Sequence, residues 1–308
     1  MQIGFLYAGQ GSQAPGMGKD FYENYESVKE FYDSIELDFD LKEYSFEKPE
    51  EVIVQTRYTQ PIMNAFQSAV TMRFKEEGIV PAGVCGLSIG EYGAVAAAGI
   101  IDPKECVELA AFRGKVMEES SKGFNTGMVA ILGLEEDVIE AACEEASEGE
   151  NKAEISNINC PGQIVISGEA GAIERAAEIL KEKGARKCIP LKVSGPFHTS
   201  YMEEASKALE EKFSEMTFKE ESIPVYYNAI GGKKGEQDVK DLLVEQVKCP
   251  VRFQQDLEEM IADGIDVFVE IGFGGVLKGF LKRINRKIPC YEVNSVESFE
   301  EVLRSIKE

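Results

Sequence analysis

A chain of 308 residues exceeds one average domain, and 44% hydrophobic with 9% aromatic content is enough for a substantial core. The formal net charge of −22 works against nucleic acid or an anionic membrane as a partner. Seven scattered cysteines with no Cys-x-x-Cys pair argue against a zinc site and a disulfide framework, and fit a reducing cytoplasm.

In chain order, Ile3 to Tyr7 reads as a first strand and not as a signal peptide, since no basic leader precedes it. It runs into Ala8-Gly9-Gln10-Gly11-Ser12-Gln13, a flexible turn with two amides. Acidic helix and loop follow from about Lys19 to Lys48. Thr59-Gln60-Pro61 then opens a helix with Ile62, Phe66, Ala69, Val70 and Phe74 at helical spacing, ending near Gly78. Gly83-Val84-Cys85 reads as a short buried strand, and Glu91 to Ala98 as an Ala-rich helix ended by Gly99. Glu91 interrupts the most apolar region, so no stretch is long enough to span a membrane.

Between that strand and helix lies Gly86-Leu87-Ser88-Ile89-Gly90, a Gly-x-Ser-x-Gly turn. Such a turn is either an inert loop or a nucleophile elbow, and its placement between strand and helix favours the elbow. Ser88 then projects its oxygen at the positive end of the following helix.

Asp102-Pro103 caps the next helix, Lys104 to Ser121, which stops at Gly123. Cys106, Leu109, Ala110, Phe112, Val116 and Met117 form its apolar face, with Arg113 in the middle. A guanidinium facing the interior needs an anion. A protein carboxylate and a carboxylate of a bound substrate are equally open as that anion.

From Gly127 to about Leu191 the pattern is β-α-β-β-α-β, the ferredoxin-like split unit: strands at 128–132, 153–158, 163–167 and 187–191, helices at 135–147 and 170–183. This predicts an α/β fold with a discontinuous large domain, 1–123 and 193–308, and a small insertion, 124–192. Val193-Ser194-Gly195-Pro196-Phe197-His198 returns the chain to the large domain, leading into a helix through about Phe213. Strands at 224–228, 267–271 and 290–293 alternate with helices at 237–247, 253–262 and 276–283. Gly272-Phe273-Gly274-Gly275 has the wrong spacing for a dinucleotide loop. Two cation clusters, Lys181/Lys183/Arg186/Lys187 and Lys282/Arg283/Arg286/Lys287, are either solvated surface or patches for an acidic partner.

A serine nucleophile needs a base, and His198 is the single histidine. A lone histidine is ordinarily structural, but this one follows a Gly-Pro turn at the start of a helix. No downstream acid stands out as a third triad member, so a backbone carbonyl could orient the imidazole instead.

Gly9-Gln10-Gly11-Ser12-Gln13, Gly86-Leu87-Ser88-Ile89-Gly90-Glu91, Arg113-Gly114-Lys115, Asn157-Ile158-Asn159-Cys160-Pro161-Gly162-Gln163, Gly195-Pro196-Phe197-His198 and Glu245-Gln246-Val247-Lys248-Cys249-Pro250-Val251 occur in order. Together these motifs resemble the malonyl-CoA:acyl carrier protein transacylases of bacterial fatty-acid synthesis over essentially the whole length. The resemblance implies an α/β-hydrolase-like domain with a parallel sheet carrying a ferredoxin-like insertion. It implies transfer of malonyl from malonyl-CoA to acyl carrier protein through malonyl-Ser88, with His198 as base. Gln10, through side chain or backbone, and the Ile89 N–H are implied as the oxyanion hole. Arg113 is implied to grip the malonyl carboxylate, and Gln246 to orient His198 through its carbonyl. Asn157, Asn159 and Phe197 are implied as substrate contacts, with Phe197 crowding out branched extenders. The expectation is a cytoplasmic monomer without metal or redox cofactor. Leu87 stands where most of that family carries His before the nucleophile. A (thio)ester hydrolase, a polyketide acyltransferase acting in trans and a silent carrier-docking module are the rival readings.

Overall fold

The computed structural model describes residues 1–191 and 195–307. Two compact units divide the chain: Met1–Lys115, Thr217–Tyr227 and Asp256–Glu308 form the first, and Val116–Met216 with Asn228–Gln255 the second. The second unit thus takes in chain on both sides of segment 124–192. The expected boundary between 192 and 193 lies outside the described residues.

The first unit is built on parallel strands. β1 (Ile3–Tyr7) lies between β2 (Gly83–Gly86) and β9 (Val267–Ile271); β7 (Val225–Tyr227) flanks β2, and β10 (Cys290–Val293) flanks β9. All of these pairs are parallel, so the chain leaves β1, β2 and β9 at the same sheet edge. β1, β2 and β9 are almost wholly buried, as strands covered on both faces must be, and their near-continuous apolar runs reflect it. The exception is Glu270, fully buried in β9. Its carboxylate accepts from the N–H groups of Leu277 (3.1 Å) and Lys278 (2.8 Å) at the start of helix Val276–Ile284. Burial raises its pKa, and those two donors offset only part of the rise. The Gly272–Gly275 turn therefore meets a helix N-terminus already occupied by a carboxylate, which is hostile to a phosphate.

Helix Thr56–Glu76 starts a turn earlier than the sequence suggests, and Pro61 lies inside it. The Thr59 hydroxyl does not cap forward; it bonds back to the carbonyls of Ile53 (2.5 Å) and Gln55 (3.1 Å). On helix Pro103–Ser120, Phe112 and Val116 are only half-buried, and Val107 joins the buried face instead. A C-terminal helix, Val296–Lys307, was not anticipated. Its Phe299 ring packs against Phe21 and Phe74, with centroids 5.8 and 4.8 Å away.

The second unit contains the antiparallel sheet β4-β5-β3-β6: β3 (Thr126–Leu132), β4 (Ala153–Cys160), β5 (Gln163–Glu169) and β6 (Lys187–Pro190). Helices Glu136–Ala146 and Ala170–Glu182 bury Ile139, Ile173 and Leu180 against Ile131, Ile164 and Ile166. This is the expected β-α-β-β-α-β order. Val251 attaches to β4, donating to Ser156 O (2.9 Å) and accepting from the Ile158 N–H (2.8 Å). The two-residue strand β8 (Gly232–Lys233) and helices Glu203–Ser214 and Val239–Gln246 complete the unit. Among the described residues, no helix is long and apolar enough to cross a membrane.

Candidate functional site

The expected site residues fall in two groups, one in each unit. In the first unit, Ser88 follows β2 directly and has φ 55°. Only two non-glycine described residues have positive φ, and Ser88 is one of them. Holding an L-residue there costs about 1 kcal/mol, so the surroundings must enforce it. They do so through glycine. A Cβ on Gly86 would stand 1.9 Å from the Gly90 carbonyl carbon, and one on Gly90 would stand 2.1 Å from Tyr7 O. The turn thus closes on itself and on the end of β1, and Leu87 N donates to Tyr7 O at 3.0 Å.

The loop after β1 emerges beside this turn. Gly9 packs so closely on Leu87 that a Cβ would lie 2.8 Å from the Leu87 carbonyl oxygen. The Leu87 side chain lies against the same glycine, which is what it contributes in place of a polar group. Gln10 follows, and its side-chain Nε2 donates to Thr56 Oγ1 at 3.0 Å. The main-chain N–H groups of Gln10 and Ile89 have no acceptor among the described residues. The Gln10 amide keeps a second N–H, so both Gln10 donors left open by the sequence, main chain and side chain, stay open here. Ile89 sits at the start of helix Gly90–Ala97, where main-chain N–H groups point outward.

Arg113 is fully buried. Its Nη1 donates to Gln60 Oε1 at 2.8 Å and its Nη2 to Ser88 Oγ at 3.3 Å. The guanidinium lies 5.2 Å from the centroid of the Tyr92 ring. Burial lowers the Arg113 pKa, while Tyr92 and the buried Glu91 oppose that shift. The guanidinium is thus delivered to the proposed nucleophile. Gln60 and Thr56 are site residues the sequence reading missed. Both are polar and four apart, but their shared face shows only once the helix is seen to begin at Thr56.

In the second unit, His198 is the other non-glycine residue with positive φ, at 61°. It is buried, and two distant carbonyls hold it: its main-chain N–H donates to Val247 O (3.0 Å), and Nδ1 lies 2.7 Å from Gln246 O. A carbonyl only accepts, so Nδ1 carries the proton and the neutral ring keeps its basic lone pair on Nε2. This is the tautomer a general base needs. Gln246 is fully buried at the end of helix Val239–Gln246. Asn157 and Asn159 lie on β4. Asn157 Oδ1 accepts from Ser156 Oγ at 2.9 Å, whereas the buried Asn159 Oδ1 has no partner among the described residues. Phe197 is buried beside His198 in the chain. Among the described residues no cluster of three or more His, Cys, Asp or Glu could hold a metal ion.

Comparisons with known proteins agree over the full length. Residues 4–300 match the acyl transferase domain family. The chain is 38% identical over 310 residues to the malonyl CoA-acyl carrier protein transacylase of Bacillus subtilis (strain 168), covering 100% of this chain and 98% of that one. The crystal structure of malonyl CoA-acyl carrier protein transacylase from Clostridium perfringens superimposes with a TM-score of 0.94 at 38% identity, over 100% of this chain and 98% of that one. A malonyl-transacylase solved in complex with its type II polyketide synthase acyl-carrier protein gives a TM-score of 0.93 at 33% identity, over 99% and 100%. The chain therefore belongs to the acyl transferase family and, within it, to the malonyl CoA-acyl carrier protein transacylases.

Proposed function

We infer that the chain moves a malonyl group from malonyl-CoA to the phosphopantetheine thiol of an acyl carrier protein, in a ping-pong reaction through malonyl-Ser88. The observation that carries this reading is the buried Arg113 guanidinium 3.3 Å from Ser88 Oγ. A hydrolase of uncharged acyl chains gains nothing from a cation there, whereas a malonyl thioester brings a free carboxylate for it.

In the first half-reaction Arg113 pairs with the malonyl carboxylate and Ser88 Oγ attacks the thioester carbonyl. His198 Nε2 takes the hydroxyl proton. The oxyanion is held by Gln10, through side chain or main chain, and by the Ile89 N–H. The intermediate collapses with cleavage of the carbon–sulfur bond, and the imidazolium returns its proton to the departing CoA sulfur. In the second, the carrier thiol gives its proton to His198 and attacks the ester. The acyl–oxygen bond breaks, and Ser88 recovers the proton. Atoms and charges balance without a metal or redox cofactor. Gln246 fixes the tautomer through its carbonyl, Asn157, Asn159 and Phe197 line the substrate's path, and the setting is the cytoplasm of a fatty-acid-synthesising cell.

Arg113→Ala tests the assignment. Steady-state transfer from malonyl-CoA should fall about a hundredfold or more, as when a buried charge partner is truncated, while transfer from acetyl-CoA changes little. An equal fall for both acyl groups contradicts the role given to Arg113.

A further inference from the structure

The left-handed backbone of His198 persists only where the chain on both sides of it is fixed. The carbonyls of Val247 and Gln246 hold the residue itself. The chain after it is held from the start of β4. Ser200, two residues on, donates its N–H to Glu154 Oε2 at 2.8 Å and its hydroxyl to the other oxygen of the same carboxylate. The Tyr201 hydroxyl accepts from the Lys152 N–H and donates to Glu150 O, both at 2.8 Å. The Phe124 ring packs edge-to-face on Tyr201, with centroids 5.4 Å apart.

The same strand supports the other hold. Val251, four residues beyond Val247, bonds to Ser156 O and the Ile158 N–H in the middle of β4. Both segments that meet at His198 are therefore hung on one strand of the small sheet. Within this frame Glu154 has a distinct task. The turn Ser200–Met202 leads into helix Glu203–Ser214, and its first N–H needs an acceptor. Thr199, at the N-cap, turns its hydroxyl back to Pro196 O at 2.5 Å and caps nothing among the described residues. Glu154 supplies the cap from another strand, and its two oxygens accept the N–H and the hydroxyl at once in charge-assisted bonds.

We propose that Glu154 is a positioning residue for His198: its carboxylate caps the turn Ser200–Met202 and so fixes the direction in which the chain leaves the imidazole. This rests on the reading of His198 as the general base. Glu154 acts through the chain, two positions downstream of the base, and not on the substrate. Ser200 is exposed and Glu154 half-buried, so removing the carboxylate opens no core and water takes its place. What is lost is the aim of the imidazole.

Because His198 is the single histidine, protein grown on isotope-labelled histidine gives one imidazole signal, which reports that aim directly. In Glu154→Ala the signal should shift or broaden, kcat for malonyl transfer to the carrier should fall about tenfold, and KM for malonyl-CoA should stay within about twofold. Ser200→Ala, which loses only the hydroxyl bond, should lower kcat about fourfold. Glu154→Gln keeps an acceptor for the Ser200 N–H and can pair its amide with the hydroxyl, so signal and kcat should return to within about twofold of wild type. Wild-type kcat in Glu154→Ala overturns the proposal. So does a loss with an unchanged imidazole signal, since the base would then be aimed as before, or a loss confined to KM. An equal loss in Glu154→Gln also overturns it, because charge and not the hold would be the cause. His198→Ala alongside tells the failures apart. If it loses transfer and Glu154→Ala does not, Glu154 fails and the base stands; if it keeps wild-type transfer, the reading of His198 fails and this proposal with it.

Discussion

Ser88 and His198 carry the same local feature, a positive φ of 55° and 61°, and reach it by different means. The Ser88 turn is held mainly by its own neighbourhood. Gly90 N donates to Leu87 O and Glu91 N to Ser88 O, and Gly86 and Gly90 leave no room for a side chain. The His198 turn is held by the carbonyls of Gln246 and Val247, nearly fifty residues away. A conformation enforced by adjacent residues leaves a motif in the sequence. A distant residue that lends only its main-chain oxygen cannot be singled out by its side chain, because any residue supplies a carbonyl.

The largest effect expected from this comparison is chemical. His198→Ala should lower the malonyl transfer rate by about 10²–10⁴-fold, the usual contribution of a general base. The turn itself should survive, because the main-chain bond to Val247 does not involve the imidazole. Steady-state kinetics with circular dichroism on the same sample checks both halves. Loss of fold together with activity would make His198 structural and break the comparison.

A smaller effect reads the strain directly. In ordinary helix or strand positions, Ala is more stable than Gly by about 0.5–1 kcal/mol. At a positive φ the order reverses, because Ala pays the left-handed penalty of about 1 kcal/mol that Gly escapes. Ser88→Gly should therefore unfold at higher denaturant than Ser88→Ala, and His198→Gly at higher denaturant than His198→Ala. A normal Ala-over-Gly order at one site only would mean that just one of the two turns is strained.

How far the sequence disclosed this molecule follows the same division. The β-α-β-β-α-β element order was readable because hydrophobic periodicity is a local signal, and its strands fall where expected within a residue or two. Arg113 was readable as a cation out of place on an apolar helix face. Gln60 was not, because Thr59-Gln60-Pro61 looks like a helix start, whereas the helix begins at Thr56 and buries Gln60 inside it. The bond from the Gln10 side chain to Thr56 spans 46 positions of sequence, and no local pattern announces it. The pairing of Nδ1 with the Gln246 carbonyl was reachable only through family resemblance. The C-terminal helix Val296–Lys307 was missed although Phe299, Val302 and Leu303 lie at helical spacing.

The central claim is that the hydroxyl at position 88 becomes covalently acylated. Mass spectrometry of the intact protein after incubation with malonyl-CoA alone, followed by peptide mapping, tests it most directly. One malonyl increment per chain, confined to the peptide containing Ser88 and removed when holo-carrier is added, is the predicted result. No increment, or an increment carried on one of the seven cysteines and retained in Ser88→Ala, would contradict it.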